Sequence, residues 1–257
     1  MEPGSTLTWP GADAPLDVLA PLTGPGAPFE LAVEMVRGVP LQVFAQRPRR
    51  VSQLLASAAT RFADRPYLVY PDRTVTFGEW PDLVAAVAAS LRHRHGIGPG
   101  DRVAVASANS LEFALTFWAT TVLGAVTVAL NAWWTGPELA DAVAHTSPKL
   151  VCADGPRMRR LQAAVCAAPL VELGRDLAAP VTVGLGETLP EVELDEVEMD
   201  EDDPFLILFT SGTTGRARGA VLSHRNQIHF MWSSILRAME GAAGGVGPVT
   251  EPCTISA

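Results

Sequence analysis

The sequence predicts an α/β protein: a parallel or mixed sheet covered by helices. Three observations carry that expectation. Short β-prone runs alternate with helical periodicities from Ser52 onward, at lengths that suit βαβ units. Hydrophobic residues make up 48% of the 257-residue chain and charged residues 18%, which is enough for a core and excludes a wholly disordered chain. Pairs of Thr and Glu three residues apart mark helix starts at Thr76/Glu79 and Thr135/Glu138.

Residues 1–50 read as an irregular arm, with six prolines among the first 28, followed by a short helix around Phe29–Arg37. Residues 51–257 read as the folded part. Ser52 caps a helix to about Phe62. Tyr67–Tyr70 and Thr74–Thr76 form two strands about the turn at Pro71, Asp72 and Arg73. The Thr76/Glu79 box opens a helix to about Arg94, which the glycine-rich Gly96–Gly100 stops. A strand at Arg102–Ala106, a helix opened by Asn109 with Glu112, and a strand at Ala125–Leu130 come next. Thr135, Pro137 and Glu138 then open a helix to about His145. Lys149–Ala153 is a strand, Gly155–Ala167 a helix and Leu170–Leu173 a short strand. An acidic linker at 187–203 leads to Phe205–Phe209, five large apolar residues expected as a fully buried strand.

Composition narrows the function classes. The net charge of −9 is local, because 187–203 holds ten acidic residues and no basic one, leaving the remainder near neutral. No basic face is available for nucleic acid, so DNA and RNA binding is not expected. Lys149 is the only lysine among 19 basic residues, and its turn before a strand predicts a solvated side chain. Cys152, Cys166 and Cys253 show no metal-ligand spacing and read as idle thiols of a reducing, cytoplasmic compartment. The first residues lack a basic stretch followed by an apolar run, so no signal peptide is expected. The 25 uncharged residues from Phe113 to Pro137 could span a bilayer by length. Gly124 divides them into a helical pattern and a β-prone one, so a buried helix, a glycine cap and a buried strand are expected instead of a transmembrane segment. His93 and His95 read as solvated, and Trp133 and Trp134 as packing residues.

Chemistry concentrates directly after the apolar strand, in Thr210, Ser211, Gly212, Thr213, Thr214, Gly215, Arg216, Ala217, Arg218 and Gly219. Glycines let successive N–H groups turn toward one anion, hydroxyls add donors, and the guanidiniums fit phosphate oxygens. The segment reads as a phosphate cradle between two strands, with Ala220–Ser223 as the second and a helix after it. It is not a Walker A loop, since no lysine follows the glycines. His224 could orient the loop or act structurally.

Phe205–Asn226, FLILFTSGTTGRARGAVLSHRN, resembles the signature of adenylate-forming (AMP-binding) enzymes, the group of acyl-CoA synthetases, luciferases and peptide-synthetase adenylation domains. Thr76–Trp80, Gly96–Val105 and Gly124–Asn131 are similar to that family's earlier motifs in order and spacing, and Ala132–Leu139 is most similar to fatty-acyl-CoA synthetases. The resemblance implies the N-terminal part of the large adenylate-forming domain, incomplete, with the smaller C-terminal domain absent. It also implies an AMP-forming acid–thiol ligase. A carboxylic acid, here a fatty acid, would react with ATP and Mg2+ to give acyl-adenylate and pyrophosphate, and coenzyme A would then displace AMP. The implied phosphate-binding residues are Thr210, Ser211, Gly212, Thr213, Thr214, Gly215 and Arg218; no catalytic residue is assigned.

Two departures accompany the resemblance. Ala217-Arg218-Gly219 stands where the family usually has Pro-Lys-Gly, which replaces a point charge by a planar fork. The family's later adenine, ribose and hinge motifs and its adenylation lysine are not among these residues. The chain alone is therefore expected to be inactive and marginally folded. Three readings stay open: an N-terminal fragment of an acyl-CoA synthetase, a non-catalytic remnant or phosphate-binding module, and a distinct small phosphotransferase.

Overall fold

The structure is a computed structural model that describes residues 21–70, 73–176, 199–210 and 217–243. These fall into two compact units, one of residues 21–47 with 228–243 and one of residues 48–227.

In the first unit Leu31–Val36 (β1) and Val39–Phe44 (β2) form an antiparallel hairpin. The expected helix around Phe29–Arg37 is therefore corrected to a strand. Exposure alternates along it with period two, and Arg37 (φ 49°) and Gly38 (φ 83°) form a two-residue turn with both φ positive, which matches the twist of paired strands. Phe44 anchors the hairpin. It meets Phe29 edge to face at 6.0 Å and stacks on His229 at 5.4 Å. Arg47, its side chain fully buried, pairs with Glu34 at 2.6 Å and donates to the Phe44 carbonyl at the same distance.

The second unit holds the sheet. Val51–Arg61 (α1) leads to the hairpin of Pro66–Tyr70 (β3) and Arg73–Thr76 (β4), whose turn residues Pro71 and Asp72 lie outside the described residues. Trp80–His95 (α2), Arg102–Ala106 (β5), Leu111–Val122 (α3), Val126–Ala129 (β6), Gly136–Thr146 (α4), Leu150–Ala153 (β7), Gly155–Ala163 (α5) and Leu170–Glu172 (β8) follow. Pro204–Thr210 (β9), Arg218–Ser223 (β10) and His224–Ala243 (α6) complete the described elements. The six-stranded sheet runs β10-β9-β6-β5-β7-β8, parallel except for β10, as the mixed, helix-covered sheet was expected to be. Alternation along β5 sends Val103 and Val105 to a core with α2 and α3, and Ala104 and Ala106 to a core with α4 and α5.

Local signals locate most helix starts to within two residues. Thr76 and Glu79 are hydrogen-bonded reciprocally at 2.8–3.3 Å just before α2, and Thr135 and Glu138 form the box of α4. Ser110, not Asn109, caps α3, its Oγ accepting from the Phe113 N–H at 3.1 Å. Ser52 lies inside α1 and Arg50 takes the cap position, where Gln53 Oε1 accepts from the Arg49 and Arg50 N–H groups. Helix α5 ends at Ala163, four residues early. Val165 adopts φ 54° and the Cys166 N–H bonds back to the Leu161 carbonyl at 3.2 Å, a left-handed helix stop made without glycine.

The long uncharged stretch resolves as expected, into α3, a cap at Gly124 and β6. Gly124 has φ 68°, a conformation that a β-branched residue in its place would resist. Among the described residues no helix is long and apolar enough to cross a membrane. Cys152 is buried in β7, and desolvation pushes its thiol up to about 12. Cys166 is partly buried, and Cys253 lies outside the described residues.

Two further expectations are corrected. Strand β9 is not fully buried: Phe205 and Leu206 are, but Leu208 is 41% exposed, because β9 lies next to the edge strand β10. The acidic linker is not solvated throughout. Residues 187–198 lie outside the described residues, but Asp200–Asp203 form a turn in which Glu201 is buried. Its carboxylate meets Arg49 at 2.8 Å and Arg225 at 3.3 Å.

Candidate functional site

Parallel strands present their following loops at their carboxyl ends, and in open α/β sheets ligands bind in that crevice. Strand β5 is flanked by β6 on one side and β7 on the other, so the chain reverses its direction of winding there. Strands β5, β6, β7 and β9 all end on this side.

Asp154 and Arg157 join the loops after three of them. Asp154 caps α5 by accepting from the Arg157 N–H at 3.0 Å, and its other oxygen accepts from the Ala108 N–H at 3.0 Å and Arg157 Nη1 at 2.9 Å. Arg157 Nε donates to the Ala132 carbonyl at 2.8 Å. One carboxylate and one nearly buried guanidinium thus hold the loops after β5, β6 and β7. Arg160 adds bonds from Nη1 to the carbonyls of Ala132 and Trp134, both at 3.1 Å. The sequence reading did not single out these residues. The Asp-Gly-Pro start of α5 is a legible cap signal, but a guanidinium reaching 25 residues back leaves no local trace.

The fourth strand, β9, leads into the segment expected as a phosphate cradle. Thr210 and Arg218 are cross-strand partners at the carboxyl end of β9 and both are exposed. Thr210 Oγ1 donates to the Arg218 carbonyl at 3.4 Å. Ser211, Gly212, Thr213, Thr214 and Gly215, with Arg216, lie outside the described residues. The strand pair therefore delivers a hydroxyl and a guanidinium side by side at the two stems of the loop. Gly219 fits its position closely, since a Cβ there would stand 2.9 Å from Ile207 Cγ2.

Trp133 and Trp134, both expected to pack, differ. Trp134 packs edge to face on Phe209 at 5.2 Å, as expected. Trp133 is 85% exposed, with the Arg157 guanidinium 5.9 Å from its ring centre, because the bonds pinning Ala132 and Trp134 turn it outward; its packing expectation is corrected.

His224 and Lys149 lie away from this crevice. β10 runs back antiparallel from the loop, so His224, which follows it, is roughly 20 Å away along the strand. It is buried and stacked on Phe205 at 5.2 Å, and its Nδ1 accepts from the Val51 N–H at 3.2 Å. Burial lowers its pKa to about 4 against the opposing pull of Asp203. Its structural role wins over loop orientation. Lys149 is at the amino ends of the strands and is not simply solvated. Its Nζ donates to Asp101 Oδ2 at 2.7 Å and to the Gly96 carbonyl at 2.6 Å. Partial burial would raise the Asp101 pKa, but the bonds from Lys149 and the Gly98 N–H outweigh it and hold the carboxyl below its usual range.

The fold and the chemistry of its strand ends define a doubly wound α/β protein with its polar loops gathered at one edge. The AMP-binding enzyme profile matches residues 55–248, and the chain belongs to that family. It is 34% identical to 4-coumarate–CoA ligase 2 of Oryza sativa subsp. japonica over 189 residues, which are 66% of this chain and 33% of the relative. To the long-chain-fatty-acid–CoA ligase FadD13 of Mycobacterium tuberculosis it is 35% identical over 149 residues, 54% of this chain and 27% of the relative. The solved Mycobacterium tuberculosis fatty acyl CoA synthetase superposes with a TM-score of 0.58 at 26% identity, covering 68% of this chain and 35% of that one. The fold is thus the N-terminal part of the adenylate-forming domain. The chain spans about a third of the length of the curated relatives it matches.

Proposed function

We propose that these residues form the phosphate-loop portion of an AMP-forming acid–thiol ligase, a cytoplasmic acyl-CoA synthetase acting on a carboxylic acid of the fatty-acid class. The observation that carries this reading is the delivery of Thr210 and Arg218, side by side and exposed, at the carboxyl end of β9. Ser211, Gly212, Thr213, Thr214 and Gly215 lie between them in the sequence. The hydroxyls and N–H groups of this segment would hold the β- and γ-phosphates of ATP, with Arg218 as the cation at its second stem and Mg2+ as the accompanying metal.

The residues present fit a polyphosphate, since the Thr210 hydroxyl and the Arg218 guanidinium stand exposed on paired positions at the carboxyl end of β9. When bound, ATP would supply the adenylyl group, with pyrophosphate as the leaving group. The chain's own part is positioning and charge stabilisation: Thr210 and Arg218 hold the loop stems, and Asp154 with Arg157 fixes the neighbouring loops. Coenzyme A would be the thiol of the second step.

By themselves these 257 residues would bind phosphate without forming adenylate. Their only lysine, Lys149, is held by Asp101 at the amino ends of the strands, away from the loop. Carboxylate-dependent exchange of labelled pyrophosphate into ATP tests this, with Mg·ATP binding measured beside it. Binding without exchange is expected. Exchange would contradict the inactivity, and absence of binding would contradict the phosphate-loop reading.

A further inference from the structure

The geometry points to Trp134 as a positioning residue for the phosphate loop, acting through Phe209; this rests on the reading of Thr210–Gly219 as that loop. Trp134 touches no reacting group. Its ring meets Phe209 edge to face, with centres 5.2 Å apart and planes at 75°. Phe209 directly precedes Thr210 and is the cross-strand partner of Gly219. It also closes over that glycine, since a Cβ at position 219 would lie 3.7 Å from Phe209 Cε1. One stack of Trp134, Phe209 and Gly219 therefore reaches both stems of the loop at once.

The outer end of the stack is itself fixed. The Trp134 N–H donates to the Asn131 carbonyl at 3.1 Å, and its carbonyl accepts from Arg160 Nη1 at 3.1 Å. The adjoining Ala132 carbonyl is taken by Arg157 Nε and Arg160 Nη1. Asp154 in turn holds Arg157, and it also accepts from the loop after β5. These bonds fix the main chain on both sides of Trp134, and its ring packs against the core that α4 and α5 share, so the ring offers Phe209 a supported face. Ordering chain around a bound anion costs free energy. Stems already held at the right separation reduce the part of that cost paid on binding. Trp133 cannot replace its neighbour, because its own ring is turned to solvent.

The test is a double-substitution cycle read by the affinity of the whole chain for inorganic tripolyphosphate, in wild type, W134A, F209A and the pair. Edge-to-face aromatic contacts are worth enough to expect about a tenfold loss for W134A. W134F keeps an aromatic edge and should stay within about twofold of wild type. If Trp134 acts through Phe209, W134A causes no further loss in the F209A background, whereas independent contributions would multiply. Unchanged affinity in W134A, or multiplied losses, overturns the inference while the loop reading stands. No tripolyphosphate binding by wild type overturns both. Should W134A lose its cooperative melt, W134L is read the same way, since it keeps apolar bulk without the aromatic edge.

Discussion

The two ends of the parallel strands use charge differently. At the amino ends, charged side chains are spent on internal partners. Lys149 bonds Asp101 and the Gly96 carbonyl, Arg102 bonds the carbonyls of Thr146 and Ser147, and Glu201 pairs with Arg49 and Arg225 beside buried His224. At the carboxyl ends, Asp154 and Arg157 hold three loops in place, and next to that scaffold Thr210, Arg218 and Trp133 face solvent. One end closes the fold, and the other holds its loops still and leaves side chains outward. Chemistry should follow the second arrangement, so the presence of the only lysine at the first end has mechanistic weight.

The largest expected break of this contrast is Asp154→Ala. It removes the α5 cap, the acceptor of the Ala108 N–H and the partner of nearly buried Arg157, and should cost about 3 kcal/mol in urea unfolding. Loss of phosphate affinity should accompany it, because three loops are freed. His224 comes next. Its folded pKa of about 4 lies below the unfolded 6.5, so the unfolded chain takes up a proton first. The stability from neutral His224 is complete above pH 6.5 and is lost as pH falls from there to about 4. The full loss is on the order of 2–3 kcal/mol. His224→Asn, which keeps an acceptor for the Val51 N–H, should flatten that part of the stability–pH curve. Phosphate affinity, at the other end of β10, should not change.

Smaller effects sharpen the same comparison. Ser110→Ala should cost about 1 kcal/mol in thermal or urea melts by removing the α3 cap. Lys149→Ala should cost less than about 1 kcal/mol, since its ion pair is 45% exposed on the lysine side, and it should leave phosphate binding intact.

How legible this was from sequence depended on how far each interaction reaches. The Thr76/Glu79 and Thr135/Glu138 pairs close over three residues and both form, Thr135 at the cap of α4 and Thr76 one turn ahead of α2, whose cap position is Glu79. The hairpin at Leu31–Phe44 was missed because Leu, Glu, Ala and Met favour helix locally, while a partner strand and the Arg37–Gly38 turn decide the outcome. The early end of α5 was hidden because Ala164, Val165, Cys166 and Ala167 carry no glycine stop, yet Val165 takes the left-handed turn. The loop stems Thr210 and Arg218 stood out through local composition. Their supports, Asp154, Arg157, Arg160 and Trp134, come from elsewhere in the chain and are joined only by the sheet order.

The claim that the carboxyl ends form the binding end is tested most directly by calorimetric titration of tripolyphosphate into three proteins. These are the wild-type chain, a Thr213→Ala/Thr214→Ala loop variant and Lys149→Ala. Wild type and Lys149→Ala should bind alike, and the loop variant should lose most of its affinity while melting at the same temperature. Equal binding by the loop variant, or loss confined to Lys149→Ala, would contradict the account.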